Sequence, residues 1–170
     1  MKKKQRSKKS GLKRLQIVIV IGVILIGVSI YYFYSAEQAQ IRGYTFGNEL
    51  QAIQDELKDE QADFYSKVSM WKEKQRLFLK DDGNNHIAKM KDIIAKYANL
   101  NISDGFSGSV KLFKLSTETQ LESDQHLINW IINDDRSEKI RADELLQASF
   151  EYEMAALSLF EEAKKGIMKP

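Results

Sequence analysis

The stretch from Phe46 to Lys80, FGNELQAIQDELKDEQADFYSKVSMWKEKQRLFLK, decides the fold class. Apolar residues recur at Phe46, Leu50, Ile53, Leu57, Phe64, Val68, Trp71 and Phe78, at intervals of 4, 3, 4, 7, 4, 3 and 7. Positions three and four apart share one face of an α-helix. The spacing therefore predicts one amphipathic helix with a heptad-like, coiled-coil-type stripe, interrupted by the polar residues Glu60 and Gln75. Its outward face carries Asp55, Glu56, Lys58, Asp59, Lys72 and Lys74. Unbroken, it would be a rod of about 50 Å.

Downstream, Asp81-Asp82-Gly83-Asn84-Asn85 reads as the stop of this helix, because glycine and asparagine accept the left-handed and capping conformations of helix ends. A shorter helix is expected from His86 to about Asn99, with Ile87, Met90, Ile94 and Tyr97 on one face. After a loop over Asn99 to Gly105, Ser103 or Asp104 can cap a third helix running to about Asn133. Its stripe is Phe106, Val110, Phe113, Thr117, Leu121, Leu127, Ile128 and Ile131. Asn133-Asp134-Asp135 breaks the pattern, and Asp135 with Glu138 has the spacing of a capping box. A fourth helix to about Lys165, stopped by Gly166, places Leu145, Leu146, Phe150, Met154, Leu157, Phe160 and Ala163 inward. Trp71 and Phe150 are expected as core anchors. Short connections imply antiparallel neighbours in an up-down order.

Upstream lies a different signal. Residues 15–34, LQIVIVIGVILIGVSIYYFY, carry no charge and match the ~20 residues that cross a bilayer. Tyr31, Tyr32, Phe33 and Tyr34 close the run as an interfacial aromatic belt. Residues 1–14 hold eight Lys and Arg and no acid, whereas the 20 residues after Tyr34 hold one base, Arg42. The positive-inside rule then puts the N-terminus in the cytoplasm and residues 35–170 outside. The apolar run is too long for a signal-peptide core. A cut after Ala36 or Ala39 would place Tyr34 or Glu37 at the −3 position, so an uncleaved anchor is expected. A pilin-type leader ending at Gly11 is disfavoured by Lys13 and Arg14.

The expected architecture is thus all-α: a basic cytoplasmic tail (1–14), one transmembrane helix (15–34) and an extracytoplasmic antiparallel bundle of three to four helices (35–170). The net charge of +2 conceals −6 beyond the basic tail, so the overall basicity is no argument for nucleic-acid binding. The absence of Cys excludes disulfides, thiolate nucleophiles and Cys-ligated metal. A single proline and nine glycines suit long helices better than many strands.

Candidate chemistry is sparse. A di-iron bundle needs two Glu-x-x-His pairs, but Gly83 and Ser123 stand three residues before the two histidines, His86 and His126. Glu122 lies four residues before His126, on the same helix face, and reads as a solvated pair. Glu151, Glu153, Glu161 and Glu162 read as helix surface, and Trp130 and the tyrosines as core or its rim. The acidic stretches at 81–83 and 134–135 lack the spacing of a calcium hand. No phosphate loop or nucleophile motif is present. No catalytic, cofactor or metal residue is expected. Asn101-Ile102-Ser103 is an N-glycosylation sequon, making Asn101 a possible modification site.

The blocks Asp63-Phe-Tyr-Ser-Lys-Val-Ser-Met-Trp71, Leu112-Phe-Lys-Leu-Ser116 and Phe150-Glu-Tyr-Glu-Met-Ala-Ala156 resemble functionally uncharacterised archaeal single-span membrane proteins with a helical outer domain. The resemblance covers most of residues 46–163 and implies no catalytic or binding residue. The arrangement is also similar to helical sensor ectodomains of chemoreceptors and histidine kinases, but without their second span and cytoplasmic signalling domain. The functional expectation is a non-enzymatic, single-pass membrane protein whose bundle serves protein interaction, as an accessory or scaffold in the envelope. Its expected partners are the lipid bilayer and a protein of unspecified identity, with no nucleic acid and no cofactor. The alternative is a ligand-binding sensor ectodomain signalling through a separate membrane partner. A buried pocket favours the second; a packed core with exposed apolar side chains favours the first.

Overall fold

The structure, a computed structural model, describes residues 45–70, 76–102 and 105–167. They form four α-helices: α1 (Thr45–Met70), α2 (Arg76–Lys96), α3 (Ser107–Asn133) and α4 (Arg136–Ile167), with a 3-10 turn, Tyr97–Asn99, after α2. There is no strand among the described residues, as the helical periodicity requires. No helix among them is long and apolar enough to cross a membrane. The expected tail and span, 1–34, lie outside the described residues.

Neighbouring helices run antiparallel. Glu60 of α1 faces His86 of α2 while Gln54, one and a half turns earlier, faces Tyr97 beyond the end of α2. His86 in turn meets Asp124, and Tyr97 meets Thr117, so α3 reverses again. Ser116 and Ser123 reach the backbone at Ser149 and Ala142, which reverses α4 against α3. This up-down order brings the start of α1 and the end of α4 to one pole. There Phe46, Phe106 and Phe160 form a row, with ring centroids 5.4 and 4.8 Å apart. Toward the other pole, Phe64, Val68, Leu127, Ile128, Ile131 and Ala142 form an apolar cluster with Trp130 against it.

The stripe of α1 is buried as its spacing requires, from Phe46 to Val68. Trp71 and the side chain of Phe78 lie outside the described residues. The continuous rod does not form, however. α1 ends at Met70 and α2 begins at Arg76, so the chain reverses about ten residues before the expected stop. Asp81-Asp82-Gly83-Asn84-Asn85 lies inside α2. Gly83 is buried against Ile128 of α3, and a Cβ there would stand 2.9 Å from Ile128 Cδ1. A mid-helix glycine costs about 1 kcal/mol against alanine. Here it makes room for the Ile128 side chain, and packing overrides local preference.

All eight stripe residues of α3 are buried. Phe106 occupies its N-cap without a side-chain bond, and Ser103 and Asp104 lie outside the described residues. Asp134 ends α3 in the left-handed conformation, φ 56°. Asp135 caps α4, its Oδ1 accepting from the backbone N–H and the hydroxyl of Ser137, both at 2.8 Å. The reciprocal bonds of the expected capping box do not form: Asp135 bonds Ser137 and not the N–H of Glu138, and the Glu138 carboxylate turns to His126.

The inward face of α4 departs most from its apolar pattern. Leu145 and Leu146 are buried, but so are Ala142, Ser149, Glu153 and Ala156. Phe150, Leu157, Phe160 and Ala163 are half-buried, and Met154 is 52% exposed. The hydroxyl of Ser116 donates to the carbonyl of Ser149 at 2.8 Å, and that of Ser123 to the carbonyl of Ala142 at 2.7 Å. Helices joined by a side chain as short as serine must lie close, and only small residues fit between them. The large residues are pushed to the flanks, so Phe150 is not a core anchor. α4 also runs through Gly166 to Ile167.

Candidate functional site

The polar interruptions in the apolar stripes converge on one buried cluster. Glu60 occupies the gap in the α1 stripe, and Asp124 sits between Leu121 and Leu127 on the buried face of α3. His86 comes from the α2 face that Met90 and Tyr97 also bury. His86 Nδ1 lies 2.9 Å from Glu60 Oε1, and its Nε2 lies 2.9 Å from Asp124 Oδ2. The three side chains are 2%, 8% and 0% exposed for His86, Glu60 and Asp124. Phe64 covers one face of the imidazole, stacked at 3.9 Å and 7°.

Further groups complete the cluster. Gln61 donates to Asp124 Oδ2 at 3.0 Å and to Met90 Sδ at 3.4 Å, and the Tyr65 hydroxyl donates to Asp124 Oδ1 at 2.8 Å. Lys89 Nζ approaches Glu60 Oε2 at 2.8 Å. Gln61 Oε1 is buried without a hydrogen-bond partner.

The donor inventory determines the charge state. An ionised carboxylate only accepts, and a neutral imidazole carries one N–H. Both ring nitrogens of His86 face carboxylate oxygens, so the imidazolium is the form that satisfies both contacts. Burial opposes that charge, but the hydrogen bonds and negative charges of Asp124 and Glu60 outweigh it and hold His86 above the ordinary histidine pKa. The phenol of Tyr65 is pushed well above its ordinary value by burial and by the charge of Asp124. With His86 charged, two cations face two carboxylates, and the cluster is neutral.

On its outer side the cluster is the floor of an open hollow of about 290 Å³ between α1 and α2. The buried Glu60, Phe64 and His86 and the more exposed Asp63, Lys67 and Lys89 are among the residues that line it. Lys67 bonds Asp63 at 2.8 Å and lies 3.6 Å from Asp82, whose second oxygen is buried without a partner. Among the described residues no group of three or more His, Asp and Glu is placed to hold a metal ion. In the cluster itself the imidazole stands between the carboxylates instead of joining them around a shared point.

The residues singled out by spacing are not brought together. His126 Nδ1 faces Glu138 at 2.7 Å, and Glu122 lies 3.8 Å from Arg141, so the Glu122–His126 pair does not form. Glu153 is buried rather than surface, while Glu151 is exposed. Asn101 is exposed in the loop after the 3-10 turn, and Ser103 of its sequon lies outside the described residues. Sequence spacing offers His86 no partner, since Glu60 and Asp124 are 26 and 38 residues away. The available signal was the pair of polar residues on otherwise apolar stripes.

No protein-family model, curated protein or solved structure matches this chain.

Proposed function

We propose that this chain is a non-enzymatic, single-pass membrane protein that presents its helical bundle outside the membrane for protein interaction, as an accessory or scaffold subunit. Residues 15–34 are the anchor and 1–14 the cytoplasmic tail, so the bundle and Asn101 face outward. The observation that carries the interaction role is on α4. Ile140 and Met154, two heptads apart on one helix face, are each 52% exposed, while the core behind them is closed by small residues. Two large apolar side chains on one face of α4, with the exposed Gln147 between them, offer two anchor points to a partner helix or groove.

The test uses photo-crosslinking residues at Ile140 and at Met154 in the full chain, in membranes of its own host. A discrete adduct from both positions, absent from the exposed polar position Glu118, is expected. Equal yields at all three would remove the interaction role. Protease added to right-side-out vesicles should digest the bundle and spare an N-terminal tag; protection of the bundle would reverse the orientation.

The alternative, a sensor ectodomain signalling through a separate membrane partner, is favoured by one observation. The hollow between α1 and α2 has a charged, buried floor at Glu60 and His86.

A further inference from the structure

We propose that Glu60, His86 and Asp124 form a proton-operated lock that clamps α1 to α2 and α3, and that loss of the His86 proton loosens α1 from the rest of the bundle. The geometry is asymmetric across the molecule. α3 and α4 are joined by small residues and by serine bonds to backbone; the histidine between them, His126 against Glu138, lies at the part-exposed end of the pair, 28% and 27% exposed, and not in the interior. α1 is held through its side chains: Gln54 and Glu56 tie it to Tyr97 and Lys96, Lys67 lies near Asp82, and between these levels its buried polar ties run to the His86–Asp124 pair or to Lys89 and Met90 beside it. The apolar stripe of α1 is also interrupted at this level, by Glu60 and Gln61. The helix is therefore most dependent on charge where its hydrophobic hold is weakest.

Protonated, His86 donates from both nitrogens, one to α1 and one to α3. Neutral, it keeps one N–H, and its bare nitrogen then faces a carboxylate lone pair at 2.9 Å, on Glu60 or on Asp124. Either tautomer leaves two buried carboxylates sharing one donor fewer and one positive charge fewer. The charged and titratable groups around the imidazole do not replace it. From α1 come Glu60 directly and Asp63 at longer range, and Tyr65 bonds Asp124. From α2, Lys89 acts through Glu60, and its side chain is 58% exposed, where water screens it. From α3 comes Asp124, and from α4 Asp143 adds only negative potential at Tyr65.

The hollow brings solvent next to the cluster. Its lining includes Glu60 and His86, so the cluster borders solvent on this side although the imidazole is 2% exposed. The raised affinity of His86 sets the sense of the response. Its contribution is complete below the unfolded histidine pKa, ~6.5, and is lost as pH rises through the folded value. Between those values one extra proton is held by the folded state, so its population ratio over the opened state falls by up to about tenfold per pH unit.

The experiment uses the full chain in detergent micelles. The chain has two histidines, so ring nitrogen spectra contain two resolvable systems, with His126→Gln assigning them. At pH 6 His86 should show both ring nitrogens protonated. As pH rises it should lose one proton, and hydrogen exchange corrected for its intrinsic pH dependence should accelerate in α1 more than in α3 and α4. His126→Gln should leave that response in place and His86→Gln should abolish it. If His86→Gln does not fold, the wild-type titration decides alone. A single ring proton on His86 at pH 6, or α1 protection unchanged while the ring titrates, overturns the lock.

Discussion

Gly83 of α2 lies against Ile128 of α3 so closely that a Cβ would stand 2.9, 3.1 and 3.2 Å from three of its side-chain atoms. Ile128 is 5% exposed and β-branched, so it has little freedom to swing away. Gly83→Ala gains about 1 kcal/mol of helix propensity but overpacks the contact, which typically costs ~1–3 kcal/mol. A net loss of up to about 2 kcal/mol is expected in urea unfolding. Ile128→Val removes the nearest atom and should cost less in the Gly83→Ala background than in wild type. A stabilised Gly83→Ala variant would show that the helices are not this close.

Asp124 accepts from Gln61, Tyr65 and His86. Asp124→Leu leaves all three without that acceptor in the interior, and removing one partner of a buried charge pair costs ~3–5 kcal/mol. Asp124→Asn keeps an acceptor but removes the anion. It should destabilise less, and it should lower the pKa of His86, because Asp124 is the larger of its two favourable influences. Chemical denaturation ranks the variants, and the ring titration reports the shift. An unmoved His86 pKa would dissociate the two residues.

The ranking of aromatic and apolar truncations tests the rotation of α4. Phe113 is 1% exposed, and Phe113→Ala should cost ~3–5 kcal/mol, as for other buried aromatics. Phe150 is half-buried, so Phe150→Ala should cost clearly less. Met154→Ser should stay within ~0.5 kcal/mol of wild type, as exposed substitutions usually do. Melting temperatures in that order support the observed face. A Met154→Ser loss as large as that of Phe113→Ala would return Met154 to the core.

Asp135 accepts two bonds from Ser137 at the start of α4, and those bonds hold its carboxyl below the ordinary value of 3.8. Its contribution is therefore present above that value and is lost as pH falls through the lower folded pKa. Asp135→Ala should lower the melting temperature at pH 7 and converge with wild type in strong acid. A difference that persisted in acid would assign the effect to something other than the cap.

The class of the fold was legible in the chain. The stripe of α3 is legible residue by residue, and the α3–α4 break at Asp134 is visible because Asn and Asp tolerate the left-handed backbone. These are local properties: a period of 3.6 and a turn that a few side chains favour. The reversal between Met70 and Arg76 is not legible, because the glycine that resembles a stop instead makes room for the Ile128 side chain inside α2. The inward face of α4 was misread for a related reason. Hydrophobicity ranks Met154 above Ser149, but a close helix pair selects for size.

By itself, the sequence determined that the described chain is helical, where most of its stripes lie and which polar residues interrupt them. It could not pair those interruptions, since a hydrogen bond across 26 or 38 residues depends on which helices are neighbours and at what register. Only the tertiary structure decided that Glu60 and Asp124 meet on opposite sides of His86. A buried charge is tolerable only where its partners are delivered at hydrogen-bond distance, and that delivery belongs to the packing of three helices together.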